Sequence, residues 1–210
     1  MDDLNTETII TDAYKMKVYL DLHIRRMGIP PIYQGALLTT PRPYQGVAYY
    51  KAQTFIEHFG EEGFRSSYIM EGVGRVGKSR LACAMMIDLF KKQKIESGWF
   101  VNCKTLSVAL AKSDFKPELG LYKKTGLLIL DDLYMFDFFW AENLYDIIEY
   151  RLTHNKGIIL TSDKPLVDLV ESQPDKYKDD VTRIMNRLRE MTDGKTTVII
   201  EDIQNKEAKR

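Results

Sequence analysis

Short apolar runs and helically spaced apolar positions alternate along this chain. The runs, typical of buried parallel strands, occupy residues 65–70, 98–102, 126–132, 157–163 and 198–200. Apolar residues three and four apart predict helices at about 79–94, 105–111, 138–153 and 179–191, and Pro165 can open a short one. This alternation predicts a three-layer α/β fold with a mainly parallel, five-stranded sheet.

Two further helices are predicted before the first strand, at residues 8–27 and from Pro43 to about residue 59. The prolines of residues 29–33 predict an extended segment between them. The first helix has an apolar stripe that either packs on its own domain or docks a partner. The stripe consists of Ile9, Ala13, Met16, Leu20, Ile24 and Met27. We therefore expect a helical extension at 1–28, a core at 29–203 and a charged tail at 204–210.

The composition fits one domain that acts on specific ligands. The chain has 210 residues, of which 44% are hydrophobic, and no apolar run is long enough to span a bilayer. Its acidic first residues are unlike a secretory signal, so we expect no membrane and a cytoplasmic location. Thirty basic and thirty acidic residues exclude general polycationic binding to nucleic acid. Cys83 and Cys103 are expected to be buried free thiols, and the histidines lack metal-ligand spacing.

The most informative motif joins the first strand of the core to its first helix. Two glycines separated by four residues are followed by Lys and Ser, which is the pattern of a phosphate-binding P-loop. The motif reads Gly72, Val73, Gly74, Arg75, Val76, Gly77, Lys78, Ser79. In such a loop, backbone N–H groups and the helix N-terminus bind phosphate. We expect Lys78 to reach the β- and γ-phosphates of ATP or GTP, and the Ser79 hydroxyl to ligate Mg²⁺.

Acidic and polar residues end two other predicted strands. Because ligands bind at the carboxyl ends of parallel strands, Asp131 is expected to hold Mg²⁺ opposite Ser79, and Asp132 to orient or deprotonate the attacking water. The polar strand end at 161–163 is a weaker candidate for contact with the γ-phosphate.

Arg183 and Arg187 share one face of the last predicted helix. Such a pair is either a solvated, salt-bridged face or, in an oligomer, a source of a guanidinium for the neighbouring subunit's phosphate.

These motifs together resemble the AAA+ ATPases of the DnaC and DnaI type, which load replicative helicases. The resemblance covers roughly residues 25–202 and rests on residues 28–33, 72–79, 128–133, 160–163 and 183–188. It implies catalytic roles for Lys78, Asp132, Asp163 and Arg187, and metal binding by Ser79 and Asp131. The nucleotide-binding set that it implies is Ile29, Tyr33, Gly72, Val73, Gly74, Arg75, Val76, Gly77, Lys78, Ser79 and Arg80.

The resemblance also implies ATP and Mg²⁺ as cofactors, a hexameric replicative helicase and single-stranded DNA as partners, and a homo-oligomer in the ATP state. Lysines between residues 112 and 124 are candidates for DNA contact. The chain departs from the common AAA+ pattern at Arg75, where a glycine is usual, at Asp132, where a glutamate is usual, and in having little or no C-terminal lid.

Three other functions remain open at this point. The chain is also compatible with an IstB-like transposition ATPase that acts on duplex DNA, or with a nucleotide-gated adaptor that hydrolyses ATP weakly. A small-molecule kinase fits less well, because no arginine-rich lid follows the core.

Overall fold

A computed structural model of the protein describes residues 3–39, 46–64, 66–110, 119–134, 138–192 and 197–199. It contains a parallel sheet of five strands in the order β2-β3-β4-β1-β5. The strands are β1 (Tyr68–Glu71), β2 (Gly98–Asn102), β3 (Leu127–Leu133), β4 (Gly157–Ser162) and β5 (Thr197–Ile199). The helices are α1 (Asp3–Arg26), α2 (Gly46–His58), α3 (Lys78–Lys91), α4 (Cys103–Leu110), α5 (Leu119–Lys124), α6 (Phe138–Thr153), α7 (Leu166–Glu171) and α8 (Asp175–Thr192).

Helices cover both faces of the sheet, which confirms the predicted three-layer α/β class. The end of α1, together with α2 and α3, packs on one face, and α4, α6 and α8 pack on the other. The central strands are buried on both faces because their apolar runs contact both helical layers. Among the described residues, none of the helices is sufficiently long and apolar to cross a bilayer.

The C-terminal end of α1 is fixed to the edge strand β2. The backbone N–H of Phe100 donates to the carbonyl of Met27 at 2.7 Å. The next residue, Gly28, has a φ of +71°, and a Cβ there would lie 2.9 Å from the Phe100 carbonyl oxygen. Glycine is therefore required both by the backbone conformation and by the close approach.

The segment after Gly28 differs from the prediction. Residues 31–33 form a single 3₁₀ turn rather than an extended segment, and the N–H of Tyr33 donates to the Pro30 carbonyl at 2.8 Å. Proline is tolerated at the first position of a helical turn because its missing N–H would have no partner there. The turn directs Tyr33 towards the carboxyl edge of the sheet, where it lines a pocket.

A buried arginine joins elements at the opposite edge of the sheet. Arg151, on α6, is 0% exposed, and burial lowers the pKa of its guanidinium to about 9, so it remains protonated at neutral pH. It donates to the backbone carbonyls of Tyr122, Lys123, Thr125, Gly126 and Gly157. These contacts cap α5, a helix that the sequence pattern did not predict.

Several expectations lie outside the described residues. They concern Lys112, Lys116, the tail at 204–210 and the absence of a lid. Lys123 and Lys124, predicted to lie in a loop, belong to α5, and Lys123 pairs with Asp146 at 2.5 Å.

Candidate functional site

The P-loop connects β1 to α3 in the setting that the sequence predicts. Glycine at position 77 has a φ of +87° and immediately precedes Lys78, the first residue of α3. The first N–H groups of a helix have no acceptor inside it, so they are available to an anion at this position. Arg75 also has a positive φ, of 68°, a conformation that an arginine rarely adopts.

The Lys78 ammonium is held at the centre of this loop. Its side chain is 5% exposed, and its Nζ donates to the carbonyls of Gly72 at 2.7 Å and Val73 at 2.8 Å. Its third hydrogen bond, of 2.7 Å, goes to the carboxylate of Asp163 just beyond β4. The other Asp163 oxygen lies 3.0 Å from the position that a Cβ on Gly74 would occupy. Asp163 therefore lies against the loop at the position where an anionic ligand would approach Lys78.

The two acids of β3 lie in an irregular part of the strand. The register between β3 and β4 shifts between Leu130 and Leu133, and Asp132 between them has a φ of 60°. The Thr161 hydroxyl donates to Asp131 Oδ1 at 2.8 Å and accepts the backbone N–H of Asp132 at 2.8 Å. Both acids are thus attached to the tip of the neighbouring strand.

The electrostatic environment favours protonation of Asp132. Burial raises the pKa of its carboxyl, and the nearby negative charges of Asp163 and Asp131 raise it further. Lys78 and Lys104 oppose this effect. A carboxyl with a raised pKa that lines a pocket of both basic and acidic side chains is suited to exchange a proton with a bound water.

The structure brings most of the predicted site residues together around one pocket of about 410 Å³. The residues that line it are Tyr33, Arg75, Gly77, Lys78, Ser79, Arg80, Asp131, Asp132, Thr161 and Asp163. Gly72, Val73, Gly74 and Val76 belong to the same loop without lining the pocket. Ile29 is only 2% exposed and packs in the core behind it.

Arg187 lies outside this pocket. It is on α8, where its Nε lies 2.8 Å from a carboxylate oxygen of Glu149 and its Nη1 lies 2.9 Å from one of Glu190. Arg183, one turn away, lies over the ring of Tyr145 at 4.7 Å. Within one copy of the chain, neither arginine lines the pocket that contains Lys78.

The oxygen donors of the pocket suit a magnesium ion that is also bound by phosphate. Ser79 and Asp131 both line the pocket, and Mg²⁺ prefers one or two protein oxygens together with water and phosphate. In the part of the chain that the structure describes, no group of three or more His, Cys, Asp or Glu residues could hold a metal without such help.

Sequence reasoning underestimated Thr161, treating it only as part of a polar strand end. Its contacts to Asp131 and Asp132 depend on the pairing of β3 with β4, which no local sequence signal encodes. Ser162, its neighbour, is fully buried and lies within hydrogen-bond distance of the backbone carbonyls of Leu133 and Lys164.

The parallel sheet, the loop before α3 and the acids at the strand ends define a P-loop fold of the AAA+ class. No protein-family model matches the chain, and no curated protein sequence matches it. Among solved structures, a crystal structure of DnaI is 25% identical with a TM-score of 0.70, over 81% of this chain and 90% of that one. The DnaC helicase loader is 22% identical with a TM-score of 0.61, over 82% and 99%. AMPPCP-bound DnaA from Aquifex aeolicus is 21% identical with a TM-score of 0.58, over 82% and 51%.

This protein therefore has the AAA+ fold of the DnaC and DnaI type, and the resemblance found in the sequence is confirmed.

Proposed function

We propose that this protein is an ATPase that controls the association of a replicative helicase with single-stranded DNA. The observation that carries the proposal is the pocket in which Lys78, Ser79 and two acids meet. The similarity in fold to DnaI and to the DnaC helicase loader supports the choice of partner. ATP binding favours the assembly that holds helicase and DNA, and hydrolysis releases them.

The pocket residues have separate roles in this proposal. Tyr33 lies beside the adenine, and the P-loop from Gly72 to Arg80, with Lys78, binds the phosphates. Ser79 and Asp131 hold Mg²⁺, which neutralises charge on the phosphates when bound. Asp132 orients the attacking water and accepts its proton. Asp163, which is bonded to Lys78 in the structure, contacts the γ-phosphate once the nucleotide has taken its place on Lys78.

Arg187 acts between subunits in this proposal. Because it lies outside the pocket of its own chain, its guanidinium is available only to a nucleotide bound by a neighbouring copy. It must first leave Glu149 and Glu190, so assembly and catalysis are linked. A homo-oligomer in the ATP state is therefore part of the proposal.

Residues 1–28 form the partner-binding segment in this proposal. The inner face of α1 is occupied near its C-terminal end, since Ile24 and Met27, which directly follows the helix, are each 4% exposed. Its outer face presents apolar side chains to solvent. These are Tyr14, Val18 and Leu22. The outer face is our candidate surface for the helicase, residues 29–203 form the ATPase core, and residues 204–210 are a tail.

Nucleotide binding and turnover provide the first test. Lys78→Ala is expected to abolish ATP binding, because it removes the cation from the loop. Lys92→Ala, which removes an exposed lysine paired with Asp88, is the matched control and should bind as wild type does. Full ATP affinity in Lys78→Ala would contradict the assignment of the pocket.

The nucleic acid that stimulates hydrolysis separates the proposed loader from the alternatives. Stimulation of the wild-type ATPase by single-stranded DNA is expected of a loader. Preferential stimulation by duplex DNA would instead indicate an IstB-like transposition ATPase. ATP binding without phosphate release would indicate a nucleotide-gated adaptor.

The partner surface is tested by capture of a hexameric replicative helicase with the full-length protein. A double variant in which charged residues replace Val18 and Leu22, on the outer face of α1, is expected to lose capture of the helicase and to keep ATP binding. Val167→Asp is the control, because Val167 is a comparably exposed apolar residue on α7, at 50%. Undiminished capture by the α1 double variant would contradict the assignment of this surface.

A further inference from the structure

Thr161 occupies an unusual position for a strand residue. Its side chain is 1% exposed, yet it lies at the edge of the pocket and contacts two acids through one oxygen atom. We propose that Thr161 is a positioning residue that fixes Asp131 and Asp132 for the magnesium-bound nucleotide. This inference rests on the proposed function.

The hydroxyl fixes the metal-binding carboxylate first. A threonine hydroxyl carries a single hydrogen, and here that hydrogen is directed to Asp131 Oδ1 at 2.8 Å. The bond engages one carboxylate oxygen and restrains the orientation of the group, so Oδ2 would be the oxygen left to bind a metal. Partners of this kind orient metal ligands in many sites.

The same oxygen also fixes the backbone of the second acid. Asp132 has a left-handed φ of 60° and lies within the register shift between β3 and β4. Thr161 Oγ1 accepts its N–H at 2.8 Å, so this hydrogen bond takes the place of one between the two strands. The conformation that directs the Asp132 side chain is therefore held by the residue that orients Asp131.

The chain offers a matched control one residue away. Ser162 is also fully buried at the tip of β4, but its hydroxyl lies near the carbonyls of Leu133 and Lys164 and contacts neither acid. Ser162→Ala removes a buried hydroxyl from the same strand end. An effect that reflects only the packing of this strand end will therefore appear both in variants of Thr161 and in Ser162→Ala.

The test is the affinity of the full-length protein for AMP-PCP, measured without metal and across a series of Mg²⁺ concentrations. Thr161→Val keeps the shape and removes the hydroxyl. Without metal, the affinity of Thr161→Val for AMP-PCP should stay within about twofold of wild type. The Mg²⁺ concentration at which half of the metal-dependent increase in AMP-PCP affinity is reached should rise about 10- to 100-fold. Thr161→Ser should restore the wild-type value, and Ser162→Ala should match wild type.

Three outcomes would overturn the inference. They are an unchanged Mg²⁺ dependence in folded Thr161→Val, an equal shift in Ser162→Ala, and a loss of metal-free binding in Thr161→Val, which would indicate a general structural role. If Thr161→Val does not fold, Thr161→Cys, with a weaker donor and acceptor, replaces it and should show the same rise. Failure of wild type to bind AMP-PCP would contradict the proposed function, whereas binding without a Thr161 effect contradicts only this inference.

Discussion

Asparagine in place of Asp163 is expected to tighten ATP binding, although the residue belongs to the proposed catalytic set. In the structure the Asp163 carboxylate accepts a 2.7 Å hydrogen bond from Lys78. It also lies against the P-loop, with one oxygen 3.0 Å from the Cβ position of Gly74. A triphosphate must therefore draw Lys78 away from Asp163 and approach a negative charge.

The size of the effect follows from the environment of this ion pair. Lys78 is 5% exposed but the Asp163 side chain is 56% exposed, so solvent screens much of the attraction. A hydrogen bond between charged groups contributes about 1.5–3 kcal/mol, and exposed ion pairs contribute about 0–1 kcal/mol. An intermediate value of about 1–2 kcal/mol corresponds to an affinity that is about 5- to 30-fold higher.

Titration calorimetry with AMP-PCP, with and without Mg²⁺, measures this change directly. Asn has the shape of Asp, so the comparison isolates the charge. Asp163→Ala is a second variant in which Lys78 loses its side-chain acceptor altogether, and it should also bind more tightly than wild type. Hydrolysis by both variants should be slower if Asp163 acts on the γ-phosphate. Unchanged or weaker binding of AMP-PCP by Asp163→Asn would refute the argument that this carboxylate competes with the nucleotide.

Three further predictions address proton transfer, assembly and stability. Because the negative charge of Asp163 raises the pKa of Asp132, Asp163→Asn should lower that pKa, and the acid limb of the ATPase pH profile should move to lower pH; a profile that stays in place would contradict a role for Asp132 as the base. Arg187→Ala should keep ATP affinity and lose oligomer-dependent hydrolysis, and an unaffected rate would leave the residue as part of a salt-bridged surface. Arg151→Met leaves buried carbonyls without a donor and should reduce the free energy of unfolding by about 3–5 kcal/mol in urea denaturation, whereas a loss below about 1 kcal/mol would show that water replaces the guanidinium.

Features encoded in a continuous stretch of sequence were predictable. The spacing of Gly72, Gly77 and Lys78 specifies a loop before a helix, and the structure has this arrangement. Apolar runs that end in acids located Asp131 and Asp132 at the carboxyl edge of the sheet, because parallel strands end on the same side.

Contacts between distant parts of the chain were not predictable in the same way. Asp163 reaches Lys78 across 85 positions of sequence, and the bonds of Thr161 depend on a register shift. Arg151 lies in a sequence that is typical of a helix surface, yet it is fully buried, because α5 ends against it. That helix was missed since its six residues are too few to show a period.

The attachment of α1 to the sheet has a consequence for communication within the molecule. Met27 is bonded to β2, Gly28 fits tightly against the same strand, and the chain reaches the pocket at Tyr33 after one short turn. A protein that binds α1 and a base that stacks on Tyr33 would thus restrain the two ends of one short segment. Thermodynamic reciprocity then requires that, if either ligand strengthens the other, it does so by the same factor in both directions.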